Sequence, residues 1–188
     1  MNIKKTNIEG LLVIEPNVFE DQRGYFFESY NKNKFNEAGL VFNWVQDNQS
    51  KSVRGVLRGL HYQLAPRAQS KLIRVLEGTI FDVAVDIRKG SPTFGKWHGL
   101  ELSAENLKQF LVPKGFAHGF SVLSETATVF YKCDEFYAPE YDRGIYFNDP
   151  ALGIDWQLNE NEIILSEKDR KLPVLKEAEI NFLKGKSL

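Results

Sequence analysis

Short stretches in which apolar and polar residues alternate run along most of the chain, and they predict strands rather than helices. These stretches are rich in Val, Ile, Phe and Tyr, and turn residues separate them at short intervals. The predicted strands span 8–14, 25–30, 42–49, 53–62, 71–76, 79–87, 97–102, 110–112, 119–123 and 127–134. Helical patterns are few: 31–38 closed by Gly39, a turn after Ser166, and 175–183. Many short strands with few helices predict an all-β sandwich or barrel, of which the jelly roll is one closed form.

The Glu77-Gly78 pair separates two of the clearest predicted strands, 71–76 and 79–87. Because glycine accepts the positive φ that tight turns need, this pair predicts a hairpin. Along the second of these strands, alternation places Asp82 and Asp86 on the face opposite to the apolar one. A solvent-exposed face is the favoured explanation for the two acids, and a polar barrel lumen is the alternative.

Length and composition restrict the class of protein. The 188 residues predict one domain that spans 1–188, and 43% hydrophobic with 26% charged residues exclude a disordered or fibrous chain. The 24 Lys and Arg against 25 Asp and Glu leave a net charge of −1. Such a balance gives no broad basic field, so neither nucleic acid nor an anionic membrane is predicted as a partner.

Cysteine content and the start of the chain predict a cytoplasmic protein. The one cysteine, Cys133, has no second cysteine with which to form an internal disulfide. The first residues lack the apolar core of a secretory signal, and no run approaches the ~18 apolar residues that span a bilayer.

Three histidines, His61, His98 and His118, are the first candidates for chemistry near neutral pH. A lone histidine is more often a core or surface residue than a functional one, and His98 keeps that interpretation. His118 ends a Pro-x-Gly-x-x-His pattern, which resembles half of the cupin signature. The His-x-His half is missing, since Tyr62 follows His61. Two distant histidines make a poor transition-metal site, so no metal is predicted.

The chain has no motif that is typical of a serine or cysteine nucleophile or of a phosphate-binding loop. It has no Gly-x-Ser-x-Gly elbow, no phosphate-binding Gly-x-x-x-x-Gly-Lys loop, and no histidine beside Cys133. Acid–base chemistry by His, Tyr, Lys and Asp remains. In the run 54–63, strict alternation puts Arg58 and His61 on opposite faces, whereas a bulge at a glycine would shift that register.

Eight blocks of sequence occur in the order typical of one known family. They are Phe19-Glu20-Asp21-Gln22-Arg23-Gly24-Tyr25-Phe26-Phe27-Glu28, Gln46-Asp47-Asn48, Arg58-Gly59-Leu60-His61-Tyr62-Gln63, Lys71-Leu72-Ile73-Arg74-Val75, Phe81 to Asp86, Pro113 to Phe120, Tyr131-Lys132-Cys133 and Leu165-Ser166-Glu167-Lys168-Asp169. With these motifs the chain resembles the dTDP-4-dehydrorhamnose 3,5-epimerases, metal-free members of the cupin superfamily. The resemblance implies a cupin-like jelly roll, or double-stranded β-helix, with a few short helices. It also implies a homodimer in which an N-terminal strand crosses to the partner.

The resemblance implies four catalytic residues. His61 is the base that removes the C3 and C5 protons of a dTDP-4-keto-6-deoxyhexose, and Asp169 holds its imidazole. Tyr131 is the acid on the opposite face of the sugar, and Lys71 lies near the keto oxygen, where a cation stabilises the oxyanion. No cofactor is implied.

The resemblance also implies a set of residues that bind the substrate. Arg23 and Arg58 are expected to contact the diphosphate, which suits the bidentate guanidinium group. Asp142 stands where the family commonly has Glu. The full set is Arg23, Phe26, Glu28, Gln46, Asp47, Asn48, Arg58, Lys71, His118, Tyr137, Asp142 and Lys168.

Three other functions stay open on the sequence. One is an epimerase that inverts only C3 or only C5 of a dTDP-4-keto-6-deoxy sugar. Another is a non-catalytic cupin that binds sugar nucleotides, and a third is a cupin 3,4-ketoisomerase.

Overall fold

Two antiparallel sheets form the framework of residues 1–185, the part of the chain that the computed structural model describes. The strands are β1 (Asn2–Lys5), β2 (Leu12–Glu15), β3 (Phe19–Asp21), β4 (Gly24–Phe26), β5 (Gln46–Val53), β6 (Leu57–Gln63), β7 (Lys71–Glu77), β8 (Thr79–Asp86), β9 (Trp97–Ser103), β10 (Gln109–Val112), β11 (Phe116–Val122), β12 (Thr126–Cys133) and β13 (Asp142–Gly144). One α-helix, α1, spans Lys32–Glu37, and 3₁₀ turns occur at Pro139–Tyr141, Glu160–Glu162 and Asp169–Lys171.

One sheet has the order β1-β2-β10-β7-β12-β5, and the second has the order β13-β6-β11-β8-β9. Apolar side chains from both sheets, among them Ile73, Ile80, Phe110 and Phe120, form one buried cluster, so the sheets face each other. The predicted all-β jelly roll is confirmed. The β3–β4 hairpin forms a small sheet of its own.

The predicted hairpin at Glu77-Gly78 is wrong. β7 pairs with β10 and β12 in one sheet, whereas β8 pairs with β11 and β9 in the other. Gly78 has a φ of 75°, and a Cβ there would lie 2.0 Å from the carbonyl oxygen of Thr126. The turn therefore carries the chain from one sheet to the other. A hairpin and a crossover both need glycine at such a turn, so the sequence pattern could not separate them.

The exposed acidic face predicted for β8 is also wrong, since Asp82 and Asp86 are both fully buried. The apolar face of β8 is the outer one, and residues of the C-terminal segment, including Phe182, cover it. The acids therefore point between the sheets, as in the lumen alternative. Burial alone would raise the pKa of Asp86, but hydrogen bonds from Arg88 and two hydroxyl groups lower it to about 2.

The helix predicted over 175–183 does not form. The segment is extended over its second half, with Ile180 and Phe182 buried against the outer face of the second sheet. Two buried residues at a spacing of two fit extended backbone better than a helix. The short helix at 31–38 is confirmed as α1, where the Asn31 side chain accepts hydrogen bonds from the Asn33 and Lys34 backbone N–H groups.

The predicted strand 8–14 is a strand only from Leu12, and β1, β3 and β13 were missed because they are only three or four residues long. β2 pairs with β1 and β10 of its own chain. The apolar residues Ile8, Leu11 and Ile14 are buried within their own chain, so no second chain is needed to cover them. Within residues 1–185 no helix is long and apolar enough to cross a membrane.

Candidate active site

A cleft lies between the two sheets and has two parts that share His61, Lys71 and Tyr131. The first part, here called the glutamine lobe, has a volume of about 240 Å³ and is lined by Gln46, Asn48, Tyr62, Gln63, Gln69, Tyr137 and Asp142. The second part, here called the arginine lobe, has a volume of about 460 Å³ and is lined by Arg58, His118, Lys168 and Asp169, together with Ser50, Val56, Leu57, Gly119, Phe120 and residues 164–166.

The three shared side chains come from opposite walls of the cleft. His61 lies on β6 in one sheet, whereas Lys71 and Tyr131 lie on β7 and β12 in the other. A molecule bound where the lobes meet would therefore have the imidazole on one side and the phenol on the other. This arrangement permits proton removal at one face and proton delivery at the other.

His61 forms a hydrogen-bonded pair with Asp169. The His61 Nε2 and Asp169 Oδ1 atoms are 2.6 Å apart; the carboxylate side chain is 4% exposed and the imidazole 30% exposed. Burial alone would raise the pKa of Asp169, but the hydrogen bond and charge of His61 hold it below the usual carboxyl value. The Asp169 N–H donates to Ser166 Oγ at 3.1 Å, which fixes the start of the 3₁₀ turn. A carboxylate so placed fixes the imidazole tautomer and stabilises its protonated form.

A bulge in β6 places Arg58 beside His61. The register pairs His118 with His61 and Phe120 with Arg58, so β6 has one extra residue between these pairs. Gly59 permits this because a Cβ there would lie 2.6 Å from the Cα atom of Gly119. Of the two registers left open by the sequence, the bulged one is present, and both side chains line the arginine lobe.

Lys71 and Tyr131 form the wall opposite His61. The Lys71 Nζ atom lies 5.9 Å from the centre of the Tyr131 ring. Burial lowers the pKa of Lys71, and the charges of Asp142 and Asp82 counteract part of that effect from a distance. Burial also raises the pKa of Tyr131, so the phenol is protonated near neutral pH. The wall thus offers a proton donor and a cation.

His118 forms a second buried pair, with Asp82. The His118 Nε2 and Asp82 Oδ1 atoms are 2.8 Å apart, and both side chains lie in the interior. His118 lies directly opposite His61 in the β11–β6 pair and lines the same lobe, so a second histidine lies near the base. His98, by contrast, contacts Asn7 Oδ1 at 2.9 Å and lines neither lobe, in line with its structural interpretation.

The glutamine lobe brings together several of the residues expected to bind substrate. Tyr137 Oη donates to Asp142 Oδ2 at 3.1 Å, and Lys168 forms an ion pair with the same oxygen. Asp142 lies opposite Gln63 in the β13–β6 pair, so its side chain is fixed by the sheet and is only 11% exposed. Asp142 thereby links the aromatic residue at the mouth of the cleft to a lysine of the arginine lobe.

Strand alternation separates Asp47 from its neighbours Gln46 and Asn48. These two line the glutamine lobe, whereas Asp47 faces the other side of β5 and forms an ion pair with Lys132 at 3.0 Å. Asp47 therefore does not line the cleft of its own chain.

Arg23, Phe26 and Glu28 also lie outside the cleft. Arg23 forms an ion pair with Asp21 at the tip of the β3–β4 hairpin, and Phe26 is 66% exposed. Glu28 accepts a hydrogen bond from Asn31 at 2.6 Å and pairs with Lys34 beside α1. Within this chain, none of the three contacts the residues around His61.

The structure adds cleft residues that were not singled out from the sequence: Gln63, Gln69, Ser50 and Ser166, with Asp82 behind His118. Gln63, Ser166 and Asp82 had a signal, since each lies in one of the family-like blocks, whereas Gln69 and Ser50 lie in none. Within residues 1–185 no group of three or more His, Cys, Asp or Glu side chains is placed to hold a metal ion.

Comparisons with known proteins agree with this geometry. Residues 5–177 match the family model described as dTDP-4-dehydrorhamnose 3,5-epimerase. A curated dTDP-4-dehydrorhamnose 3,5-epimerase of Methanothermobacter thermautotrophicus is 55% identical over 174 residues, which cover 92% of this chain and 94% of that protein.

Two solved structures are also close to this chain. The crystal structure of dTDP-4-dehydrorhamnose 3,5-epimerase from Elizabethkingia anophelis has a TM-score of 0.91 and 57% identity, and covers 94% of this chain and 97% of that one. The dTDP-6-deoxy-D-glucose-3,5-epimerase of Legionella pneumophila, solved in complex with dTDP-4-keto-L-rhamnose, has a TM-score of 0.90 and 51% identity, and covers 94% and 93% of the two chains.

Proposed function

The chain belongs to the dTDP-4-dehydrorhamnose 3,5-epimerase family, and on that premise we propose that it is an isomerase acting on dTDP-4-dehydro-6-deoxy-D-glucose. It inverts C3 and C5 to give dTDP-4-dehydro-L-rhamnose, a step in the biosynthesis of dTDP-L-rhamnose. The observation that carries the proposal is the His61–Asp169 pair facing Lys71 and Tyr131 across one cleft.

The chemistry follows from the ketone at C4 of the sugar. C3 and C5 both flank this ketone, so either carbon can lose its proton to give an enolate. His61 removes the proton through Nδ1, because its Nε2 atom is held by Asp169. The C–H electron pair forms the new C=C bond, and the carbonyl π electrons move to the C4 oxygen.

Lys71 stabilises the oxyanion that forms at C4. It lies half-buried in the wall of the cleft, and a cation preorganised there acts more strongly on a developing negative charge than one in bulk water. Tyr131 then delivers a proton to the carbon from the wall opposite His61, which inverts the centre. His61 then releases the abstracted proton to solvent and the tyrosinate takes one up from solvent, which resets both groups before the second cycle acts on the other carbon.

We propose that the nucleotide lies along the remaining cleft residues. Arg58, His118 and Lys168 supply positive or hydrogen-bonding groups for the diphosphate. Gln46, Asn48, Tyr137 and Asp142 contact the nucleoside or the sugar in the glutamine lobe. No cofactor takes part, and the chain 1–188 acts as one jelly-roll domain.

We propose a homodimer in which the β3–β4 hairpin reaches the cleft of the partner. The family resemblance assigns Arg23, Phe26 and Glu28 to substrate binding, yet none of them lines the cleft of its own chain. The hairpin exposes Phe19, Tyr25 and Phe26, and exposed aromatic side chains of this kind favour an interface. Exchange of β2 between chains is not needed, since β2 pairs with β1 and β10 of its own chain.

The cellular location is proposed to be the cytoplasm, because Cys133 is a buried free thiol and free thiols persist in a reducing compartment.

Proton NMR of the product formed from dTDP-4-keto-6-deoxyglucose in deuterated buffer tests the function. Deuterium and inverted configuration at both C3 and C5 are expected. Inversion at one carbon alone would make the protein a C3-only or C5-only epimerase, and migration of the carbonyl would make it a ketoisomerase. Binding of the substrate without deuterium incorporation would leave a non-catalytic sugar-nucleotide-binding protein and overturn the proposal.

A further inference from the structure

The segment 135–138, which carries Tyr137, connects β12 to the 3₁₀ turn Pro139–Tyr141. Glutamine side chains hold its backbone. Gln69 Nε2 donates to the Glu135 carbonyl at 2.7 Å, Gln63 Nε2 donates to the Phe136 carbonyl at 3.2 Å, Gln46 Oε1 accepts from the Tyr137 N–H at 2.9 Å, and Gln63 Oε1 accepts from the Ala138 N–H at 2.7 Å. We call Gln46, Gln63 and Gln69 the glutamine cradle.

The glutamine cradle joins three separate parts of the fold at one segment. Gln46 begins β5 in one sheet, Gln63 ends β6 in the other, and Gln69 lies in the loop before β7. Gln63 is buried, and its Nε2 atom makes a further bond to the Arg67 carbonyl at 2.6 Å. A buried amide with both ends bonded is fixed in one orientation, because any rotation would leave polar groups without partners.

Tyr137 depends on this backbone for its position. Tyr137 is 55% exposed, and among residues 1–185 its hydroxyl group bonds to Asp142 alone, so little packing fixes the ring. An aromatic ring held at the mouth of a cleft offers a flat face on which a base can stack.

We propose that the glutamine cradle positions Tyr137 for its contact with the nucleotide, which makes Gln63 and Gln69 positioning residues for substrate binding. The proposal rests on the proposed function, since it takes a thymidine nucleotide as the ligand. Gln63 and Gln69 act through the backbone of 135–138 and not on the reacting atoms. Their loss should therefore weaken binding more than it slows chemistry.

A double-mutant cycle on dTDP affinity tests the proposal, with isothermal titration calorimetry of wild type, Gln63→Leu, Tyr137→Ala and the double variant. Each single variant is expected to raise the Kd for dTDP by roughly 5- to 150-fold, the range for loss of one base–aromatic stack. The double variant should bind no more weakly than Tyr137→Ala, because Gln63 acts through that residue. Effects that multiply in the double variant would overturn the proposal.

Asn106→Leu is the matched control. The Asn106 side chain accepts hydrogen bonds from the Ser103 and Lys108 N–H groups and donates one to the Glu101 carbonyl. Like Gln63, it therefore makes three hydrogen bonds to the backbone, but away from the cleft. It should leave the Kd for dTDP unchanged. Hydrogen exchange at the Tyr137 and Ala138 amides should become faster in Gln63→Leu and stay slow in Asn106→Leu.

Steady-state kinetics give a further test. Gln63→Leu should raise KM and change kcat by less than about threefold, whereas a residue that acts in the chemistry would lower kcat. Should Gln63→Leu fail to fold, Gln69→Leu removes a less buried member of the cradle and carries the same expectations. Wild-type affinity in a folded variant would refute the cradle, whereas failure of wild type itself to bind dTDP would refute the proposed function.

Discussion

At the scale of single residues, the cleft separates the tasks of base, acid and oxyanion stabiliser by giving each group a different environment. The partly exposed imidazole of His61 contacts a buried carboxylate, and burial raises the pKa of the Tyr131 phenol further above neutral pH. Within residues 1–185, no carboxylate forms an ion pair with Lys71. The two groups that handle protons lie on different sheets. One base and one acid can therefore serve both carbons, provided that the sugar turns or shifts between the two steps.

His61→Ala should reduce exchange of the C3 and C5 protons with solvent deuterium by roughly 10²–10⁴-fold, the usual contribution of a positioned base. Asp169→Asn should be impaired less, since it keeps the base and disturbs only its tautomer. His98→Ala, outside the cleft, is the control and should exchange normally. Residual exchange in His61→Ala that disappears in His61→Ala/His118→Ala would show that His118 is a second base.

Tyr131→Phe should separate proton exchange from inversion, because the base and Lys71 can still form the enolate. Without the hydroxyl, His61 becomes the nearest proton donor and returns a proton to the original face. Deuterium should therefore still enter C3 and C5, while the yield of epimer falls by up to ~10²–10⁴-fold. Proton NMR in deuterated buffer follows both carbons. If exchange and inversion were lost together, Tyr131 would be needed for enolate formation and could not be a separate acid.

The residues of the cleft could be selected from sequence motifs, but their contacts could not. Nothing in the spacing of His61 and Asp169 predicts that their side chains meet, because a loop of any shape could separate them. Alternation predicted opposite faces for Arg58 and His61 unless a glycine bulge intervened, and only the structure shows the bulge. Asp47 illustrates the reverse case, where strand alternation should have warned that it faces away from Gln46 and Asn48.

At the scale of elements, the glycines of β6 and β11 determine how the base is presented. The backbones of Gly59 and Gly119 are in close contact where β6 and β11 pair beside the arginine lobe. The extra residue in β6 places the side chains of Arg58 and His61 on the same side of the strand, facing that lobe. A side chain at either glycine would separate the strands. The close contact therefore fixes the distance between His61 and His118.

Gly59→Ala should destabilise the protein more than Gly24→Ala. Both glycines have a φ of 122°, so each substitution carries a similar conformational cost of ~1–3 kcal/mol. A Cβ at Gly59 would clash with backbone atoms of residues 118 and 119, whereas nothing lies within 4 Å of one at Gly24. The clash should add roughly 1–3 kcal/mol, the usual cost of overpacking. Urea unfolding of both variants measures the difference, and equal losses would contradict the close contact.

Most strands could be predicted from their alternation, whereas the way they connect could not. Gly78 is required by the crossover from β7 to β8 just as it would be by a hairpin, and the local sequence is the same in both cases. The extended segment that covers the outer face of β8 was predicted as a helix, because its apolar residues fit a helical spacing when its distant contacts are ignored. Contacts between distant parts of the chain decided both outcomes.

At the scale of the whole molecule, the jelly roll supplies a cleft but leaves the hairpin β3–β4 outside it. In a homodimer, the hairpin of one chain would supply Arg23 to the cleft of the other chain, which that chain's own Arg23 does not line. The cleft itself holds two histidine–carboxylate pairs and no wider set of ligands among residues 1–185. The predicted assembly and the predicted absence of a metal can each be tested on the intact protein.

Light scattering at micromolar concentration should give twice the 21.6 kDa mass of one chain. Mixed dimers then test the reach of the hairpin. When Arg23→Ala and His61→Ala chains are refolded together, a hybrid in which Arg23 serves the partner has one complete cleft, so activity should return. A monomer in solution, or hybrids that stay inactive, would contradict the proposed dimer.

Epimerase activity should survive extensive treatment with EDTA. The catalytic histidine has a carboxylate partner rather than a second ligand at His-x-His spacing, and metal catalysis usually needs three protein ligands. Turnover is measured before and after removal of EDTA, with residual metal content as the control. Loss of activity that one divalent ion restores would overturn the metal-free assignment.

The order in which strands pair has a consequence for how a newly made chain acquires activity. Among the described strands, only the pairs β1–β2, β3–β4 and β8–β9 join strands that follow each other in sequence. The other pairs join distant strands: β2 pairs with β10, β5 with β12, and β6 with β11 and β13. Such distant pairings must close long loops before they gain contacts, and folding of this kind is slow. A nascent chain that has left the ribosome only through β11 has His61 and Lys71 but neither Tyr131 nor Asp169. Because Tyr131 and Asp169 emerge late in synthesis, we expect a chain that is truncated before Asp169 to lack a complete cleft and epimerase activity.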